Sequence, residues 1–171
     1  GFTSSTFNLS GGTLNLSTGV AKALTSLDLP SGTLTGSDDI TVNGAFNWTG
    51  NAILSGAGSF TTNGISTLSS VGGYTLERNW SNASTINWTA GSMFINNVTL
   101  STDGNMNLSG GTGFVFNGGA AIVTNSCTGI INVNNDFTVG NSMQFDNAGA
   151  VNLDPLAGGA ATLTVVSTGT H

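Results

Sequence analysis

The clearest repeated segment of the chain is Phe46-Asn47-Trp48-Thr49-Gly50, which recurs as Ile86-Asn87-Trp88-Thr89-Ala90. In both copies apolar and polar residues alternate, which is the period-two pattern of a strand with one buried face. Similar triplets recur at intervals of about 20 residues, the range in which a fixed period indicates a solenoid. The other clear triplets are Phe7-Asn8-Leu9, Leu27-Asp28-Leu29, Met106-Asn107-Leu108, Ile131-Asn132-Val133 and Val151-Asn152-Leu153.

Each repeat contains three such apolar positions, which predicts three short strands in every repeat. The first series is Phe7, Leu27, Phe46, Ile65, Ile86, Met106, Ile131 and Val151. The second series is Leu14, Leu34, Ile53, Tyr74, Phe94, Phe114 and Phe137. The third series is Val20, Ile40, Phe60, Trp80, Val98, Ile122, Met143 and Leu163.

Glycine-rich segments such as Ser10-Gly11-Gly12 and Ser109-Gly110-Gly111 separate the predicted strands and suit sharp corners. The sequence therefore predicts an all-β chain that folds as a single-stranded right-handed parallel β-helix, or β-solenoid. We expect three short strands per coil of about 20 residues, roughly eight coils, and one domain over residues 1–171. The right hand follows the general bias of parallel β crossovers. A helix is disfavoured because no segment keeps an apolar stripe at helical spacing.

Charge limits the classes of partner. Only 6% of the residues are charged, two of them are basic, and the net charge is −6. Binding to nucleic acid or to an anionic membrane surface requires clustered Lys and Arg, so we expect neither partner. No apolar run is long enough to span a bilayer, and no signal peptide is visible at Gly1, so we expect no membrane insertion.

The segments quoted above, together with Leu54-Ser55-Gly56-Ala57-Gly58, resemble the degenerate repeats of very large secreted bacterial surface proteins. These include autotransporter-like and filamentous-haemagglutinin-like adhesins, whose passenger regions are right-handed parallel β-helices. The resemblance covers most of the chain, and it is a style of repeat rather than a catalytic motif. It implies export to the cell surface and a fibrous or adhesive role. The chain is then expected to be a piece of, or a subunit in, a longer fibre.

Stacked coils would align the outward residues of the first strand into a polar ladder along the rod. Its predicted members are Asn8, Asp28, Asn47, Ser66, Asn87, Asn107, Asn132 and Asn152. Beside it runs a second outward column of Ser10, Pro30, Thr49, Thr89, Ser109, Asn134 and Asp154. Two hypotheses stay open: side chains that hydrogen-bond along the rod, or a flat Asn/Thr face that binds glycans. Ice binding is disfavoured because the face is mostly Asn rather than repeated Thr.

The inward residues of the same strands are expected to form a core stack. Its members are Phe7, Leu27, Phe46, Trp48, Ile86, Trp88, Met106, Ile131 and Val151. Sugar-stacking platforms are the alternative for the two tryptophans, but the alternation places both inward with Phe46 and Ile86.

Catalytic residues are not expected in this sequence. Asp38-Asp39 is the only adjacent acidic pair, the only histidine is His171, and Lys22 and Arg78 fall in different coils. No cluster has the spacing of zinc ligands, and the calcium-binding nonapeptide is missing. We therefore predict no enzyme activity and no cofactor, and we assign no metal site. Calcium at Asp38, Asp39 or Asp103 stays open as an alternative.

Three further features carry expectations. Repeat length stretches after Phe114, which predicts a corner insertion or longer turn over Asn117 to Ser126. Cys127 is expected to be an inert, partly buried thiol. Eight Asn-x-Ser/Thr triplets are interpreted as coincidence in an Asn-rich chain. They begin at Asn8, Asn15, Asn47, Asn79, Asn82, Asn87, Asn97 and Asn107.

The functional expectation is a non-enzymatic extracellular rod in a cell-surface fibre, filament or adhesin stalk. Its partners would be copies of itself or adjacent repeats, joined end to end, because neither end of the sequence carries an evident cap. The alternative is a glycan- or receptor-binding adhesin module that uses the exposed Asn/Thr face.

Overall fold

The computed structural model describes residues 5–110, 113–140, 142–154 and 160–166. The described chain is built from strands, turns and irregular segments. In chain order the strands are β1 (Thr6–Asn15), β2 (Lys22–Leu24), β3 (Ser26–Thr35), β4 (Ile40–Val42), β5 (Phe46–Trp48), β6 (Ile53–Ser55), β7 (Phe60–Thr62), β8 (Ser66–Leu68), β9 (Tyr74–Glu77), β10 (Trp80–Asn82), β11 (Thr85–Trp88), β12 (Ser92–Ile95), β13 (Thr99–Thr102), β14 (Asn105–Leu108), β15 (Gly113–Phe116), β16 (Ala121–Asn125), β17 (Ile130–Val133), β18 (Phe137–Val139), β19 (Met143–Asn147), β20 (Ala150–Leu153) and β21 (Leu163–Val165).

The strands stack into three faces, and all their pairings are parallel. The first face contains β5, β8, β11, β14, β17, β20 and the first halves of β1 and β3. The second face contains β6, β9, β12, β15, β18, β21 and the second halves of β1 and β3. The third face is the seven-stranded sheet of β2, β4, β7, β10, β13, β16 and β19. The described residues thus make seven complete coils and two strands of an eighth, which confirms the predicted parallel β-helix.

No helix in the described part of the chain has the length and apolar character needed to span a bilayer.

The core is one continuous cluster along the rod axis, because every strand turns its alternate apolar residues inward. Aromatic rings fill its middle and contact one another edge to face. Phe46 and Trp80 have ring centroids 5.6 Å apart, Trp48 and Tyr74 5.1 Å, and Trp88 lies 5.3 Å from Phe114. All three tryptophans of the chain are fully buried, so none is a surface platform for sugars.

The predicted core stack lies inward along the first face. Seven of its nine members are buried, and Phe7 and Val151 are half-buried against the same cluster. These two residues lie in the outermost coils of that face, where a neighbouring coil covers them on one side only.

The fourth coil departs from the predicted series. Ser66, not Ile65, pairs with Phe46 and Ile86 and points into the core, whereas Ile65 is 53% exposed. Gly64 forms the corner before this strand, where a Cβ would lie 2.2 Å from the carbonyl oxygen of Gly44 in the coil before. The assignment of Ile65 to the core and of Ser66 to the polar ladder was therefore wrong.

The second series was wrong where two apolar residues are adjacent. In the strands β6 and β12 the inward residues are Leu54 and Met93, and Ile53 and Phe94 face outward and are half-buried.

The third series contains similar errors. Val20 is 56% exposed, and its place in the core belongs to Lys22, which pairs with Ile40. Leu163 pairs with Phe137 on the second face rather than the third. Val20 lies two residues before the inward position and Leu163 lies on a different face, so both errors concern where a strand falls in the coil.

The predicted insertion over Asn117 to Ser126 was only partly correct. The strand β16 occupies most of this segment, and it pairs with β13 in the ordinary way. The extra residues are divided between the corners on either side of it, at 117–120 and 126–129. Asn97 supports the first corner with a left-handed backbone (φ 56°) and accepts a hydrogen bond from Ala120 N at 3.1 Å.

Tyr74 gives the buried core a spectroscopic reporter, because it is the chain's single tyrosine. Its hydroxyl donates to Ala90 O at 2.9 Å and accepts from Ser70 N at 2.6 Å, and burial raises the pKa to about 12. We expect ultraviolet titration to show tyrosinate forming near that value rather than at 10.0, and Phe94→Ala to leave the titration unchanged. Ionisation at the ordinary pKa would contradict burial of this ring.

Candidate functional site: the polar ladder and the charged corner

The polar ladder runs along the outside of the first face, one residue per coil. Pairing of neighbouring strands aligns Asn8, Asp28, Asn47, Thr67, Asn87, Asn107, Asn132 and Asn152. Seven of these residues are the predicted ones, and Thr67 takes the place assigned to Ser66. The side chains are half-buried along the rod and exposed at Asn8 and Asn152.

Side-chain amides bond to one another along this ladder, always in one direction. In every ladder bond an asparagine Nδ2 group donates to the Oδ1 atom of the residue in the preceding coil. The distances are 2.8 Å from Asn107 to Asn87, 2.8 Å from Asn132 to Asn107 and 2.9 Å from Asn152 to Asn132. A separate link joins Asn47 Nδ2 to Asp28 Oδ1 at 2.7 Å. The amides therefore bind each other along the axis.

Two positions interrupt the ladder. No side-chain hydrogen bond joins Asp28 to Asn8 within the described ranges, and an ionised carboxylate cannot donate to the amide oxygen before it. Thr67 forms no ladder bond to its described neighbours either. The hydrogen-bonded ladder thus has two parts, a short one at Asp28 and Asn47 and a long one from Asn87 to Asn152.

The second outward column lies beside the ladder, where strands of the first face end. Thr49 is exposed, whereas Thr89 Oγ1 donates to Leu68 O in the coil before at 3.1 Å. Ser109 repeats this bond to Trp88 O at 3.3 Å. Hydroxyl groups in this column therefore also bond along the axis.

An inner polar column lies at the corner between the third and first faces, and the sequence analysis missed it. Its members are Thr62, Asn82, Thr102, Asn125 and Asn147, aligned by strand pairing. Asn82 is fully buried, accepts from Thr62 Oγ1 at 3.0 Å and donates to Thr102 Oγ1 at 3.1 Å. The spacing from Thr62 through Asn82 to Thr102 was the signal that could have revealed it.

The charged corner consists of Lys22, Asp38, Asp39 and Arg78, between the second and third faces. Lys22 and Asp38 form a buried ion pair, with Nζ 2.7 Å from Oδ2. Lys22 Nζ also donates to Thr18 Oγ1 and to Val20 O. The Lys22 ammonium, followed by Thr18 and Gly19 donors, holds the pKa of Asp38 well below its ordinary range.

Arg78 belongs to the same corner although it lies two coils away from Asp38. Its side chain is fully buried, and Nη2 donates to Gly36 O. It passes Gly56, where a Cβ would lie only 3.0 Å from Nη2. Nε and Nη1 have no hydrogen-bond partner among the described residues, and burial lowers the pKa of the guanidinium. Lys22 and Arg78 fall in different coils, as the sequence indicated, but both lie at the corner that holds Asp38 and Asp39.

Acid should weaken this corner. Asp39 accepts hydrogen bonds from Ser59 N at 2.7 Å and from Ser59 Oγ at 2.8 Å, which lower its pKa. Folding lowers the pKa of both carboxyl groups below the ordinary value of 3.8, so their ionised forms stabilise the folded protein fully at pH values above 3.8. This stabilisation is lost as the pH falls through the pKa values of the folded state. We expect the urea midpoint to drop below pH 3.8 and the drop to be smaller in Asp38→Asn. Equal acid sensitivity of the variant would contradict the role of Asp38.

Two remaining predictions concern possible modification sites. Cys127 is exposed in the turn after β16, so the expectation of a partly buried thiol was wrong. Among the Asn-x-Ser/Thr triplets, Asn82 is fully buried and closed to any glycan in the folded chain. Asn8, Asn15, Asn79 and Asn97 are exposed.

The polar ladder and the inner polar column both consist of amide and hydroxyl groups that largely hydrogen-bond to one another. Groups of three or more His, Cys, Asp or Glu residues that could hold a metal do not occur in the described ranges. The charged corner stabilises the inside of the rod rather than forming a surface site, because three of its four side chains are buried. Compared with known proteins, the chain matches no family profile, no curated sequence and no solved structure.

Proposed function

We propose that this chain is a non-enzymatic structural rod, exported to the cell surface, where it forms part of a fibre, filament or adhesin stalk. Its partners are copies of itself or adjacent repeats, joined end to end. The resemblance of its repeats to those of secreted bacterial surface proteins supports this location. The role is mechanical: the rod holds its shape and spans distance.

The observation that carries the proposal is the continuity of bonding along the axis. Strand pairing continues on all three faces from coil to coil, and the polar ladder and inner column add side-chain bonds in the same direction. In a solenoid each coil is stabilised by its neighbours, so such bonding favours a long and stiff assembly. A surface whose polar groups bond along the axis is more typical of a structural spacer than of a protein with a concave pocket for a small ligand.

The polar ladder distinguishes this function from glycan binding. Asn107→Asp removes the Nδ2 donor to Asn87 while it keeps an acceptor for Asn132. We expect it to lower the free energy of unfolding by about 1 kcal/mol, because one hydrogen bond is lost and two oxygens approach each other. Asn105→Asp, on the same strand but without a ladder bond, is the matched control and should change it little. Urea unfolding of the two variants gives the comparison.

A glycan array with the same variants tests the alternative. If the chain binds a glycan, and Asn107→Asp abolishes that binding without loss of stability, the Asn/Thr face is a receptor site and the proposal fails. Loss of stability with no glycan bound by either variant supports the structural role.

Electron microscopy of the purified chain over a concentration series tests the proposal as a whole. Seven coils at the ordinary interstrand spacing make a rod of roughly 35 Å, so filaments many times longer would show end-to-end assembly. We expect uniform filaments one β-helix wide, whose length increases with concentration. Irregular aggregates, or particles that stay at the length of one rod at every concentration, would contradict self-assembly.

A further inference from the structure

The two ends of the rod present different and complementary strand edges. Within the described residues, β1 and β2 have no partner on one side, and neither do β19, β20 and β21 at the opposite end. Every coil adds to the one before it in parallel and in the same direction. An edge of the β1 type therefore continues the hydrogen bonding only of an edge of the β20 type.

The apolar surfaces at these ends also match. At the β1 end a cavity of about 50 Å³ is lined by Phe7, Leu14, Leu16, Leu24, Leu27, Leu34 and the stem of Lys22. At the opposite end Leu153 is 56% exposed and Val165 44% exposed, although strand pairing places both in inward columns. The first two coils thus enclose a small unfilled apolar cavity near one end, and the other end has uncovered apolar side chains.

The polar ladder adds direction. Its amides always donate toward the coil before them, so Asn152 Nδ2 is used by Asn132, and Asn152 Oδ1 has no partner among the described residues. At the other end, Asn8 makes no side-chain hydrogen bond within the described ranges, so its Nδ2 group can donate. The acceptor at one end and the donor at the other follow the same rule as the internal ladder bonds.

Charge favours the same arrangement. Residues 5–25 contain no carboxylate, and their one basic residue, Lys22, is buried and paired with Asp38. Residues 143–154 contain Asp146 and Asp154 and no basic residue. Joining unlike ends places the aspartates opposite uncharged positions of the first coil. Joining two β20 ends would bring four aspartates together, which costs free energy.

We propose that a second copy of this chain adds head to tail, so that β20 of one copy pairs with β1 of the next and Asn152 lies opposite Asn8. In this register Leu153 packs on Leu9 of the next copy, and the three faces continue without a break. The inference rests on the proposed function, because it specifies the contact by which the rods assemble.

Disulfide trapping tests this register. Residues directly opposite on neighbouring parallel strands lie about 4.8 Å apart, within the Cα separation that a disulfide bridges. In a Cys127→Ser background, Asn8→Cys and Asn152→Cys are made separately, mixed and oxidised. Both sites are exposed, and melting curves of each variant verify folding. We expect heterodimers in the mixture to exceed homodimers of either variant by about tenfold, because the contact raises the local thiol concentration.

Two control mixtures define the geometry. In the first, Asn8→Cys is mixed with Asn107→Cys, which places the thiol on the ladder in the middle of the rod. In the second, Asn8→Cys is mixed with Asp154→Cys, which places the thiol two residues out of register. Neither should give heterodimers above the homodimer level. Homodimers of Asn152→Cys as abundant as heterodimers, or equal trapping at Asp154, would overturn the proposed contact. Filaments without trapping at Asn8 and Asn152 would refute this register alone, whereas rods that never associate would refute end-to-end assembly as well.

Discussion

Replacing Trp80 with alanine is expected to lower the free energy of unfolding by about 3–5 kcal/mol, the range for deleting a large aromatic side chain from a core. The indole is fully buried, and its ring centroid lies 5.6 Å from that of Phe46 and 6.0 Å from that of Phe60. Its Nε1 group donates to Thr62 Oγ1 at 2.9 Å. Trp80 lies in the same coil as Ser66, whose small side chain faces the core from β8. Ser66 is therefore too small to fill the cavity that Trp80→Ala would leave.

Urea unfolding measures this loss, and Phe94→Ala is the matched control. Phe94 is an aromatic residue of similar strand context that faces outward and is half-buried, so its removal should change the free energy of unfolding by about 1 kcal/mol or less. Equal losses in the two variants would show that the side chains of the second and third faces are not oriented as described.

Arg78→Ala is expected to be nearly as damaging, with a loss of about 3 kcal/mol. The variant leaves a cavity beside Gly56 and leaves the Gly36 carbonyl with only its 3.4 Å hydrogen bond from Gly58 N. It also removes a positive charge that helps to lower the pKa of Asp39.

Arg78→Met separates packing from charge. Methionine retains most of the volume without the guanidinium, whose Nε and Nη1 groups lack described partners. Because replacing a poorly paired buried ion by an apolar side chain is often neutral, we expect a loss of about 1 kcal/mol or less. A loss as large as that of Arg78→Ala would show that the charge, rather than the volume, holds the corner. Urea midpoints of the two variants decide between these results.

Much of the fold followed from the sequence because the triplets around Asn47, Asn87 and Asn107 are regular. Errors arose where two apolar residues are adjacent, as at Ile53 and Leu54, or where the inward residue is small, as at Ser66. At such places the burial pattern of a single strand is ambiguous. Contacts with the neighbouring coils select the register, and those contacts are not local in sequence.

The candidate site divides in the same way. The polar ladder could be predicted because its members occupy one position of the repeat. The charged corner could not, since Lys22 occupies a position where Ile40 and Phe60 predict an apolar side chain. Arg78 reaches back across Gly56 to Gly36, and a Cβ at Gly56 would lie 3.0 Å from its Nη2 atom, so the glycine leaves room for the guanidinium. Interactions of this kind depend on the shape of one corner rather than on repeat spacing.

The direction of the strand pairing has a consequence for how the rod responds to tension. Strands lie across the axis, and an end coil has a neighbour on one side only, so a pull applied to the chain end separates that coil first. Coils should therefore peel away one at a time, and each would release about 70 Å of chain. Under the proposed function, a fibre made of such rods would lengthen in steps under strain instead of breaking at a single load.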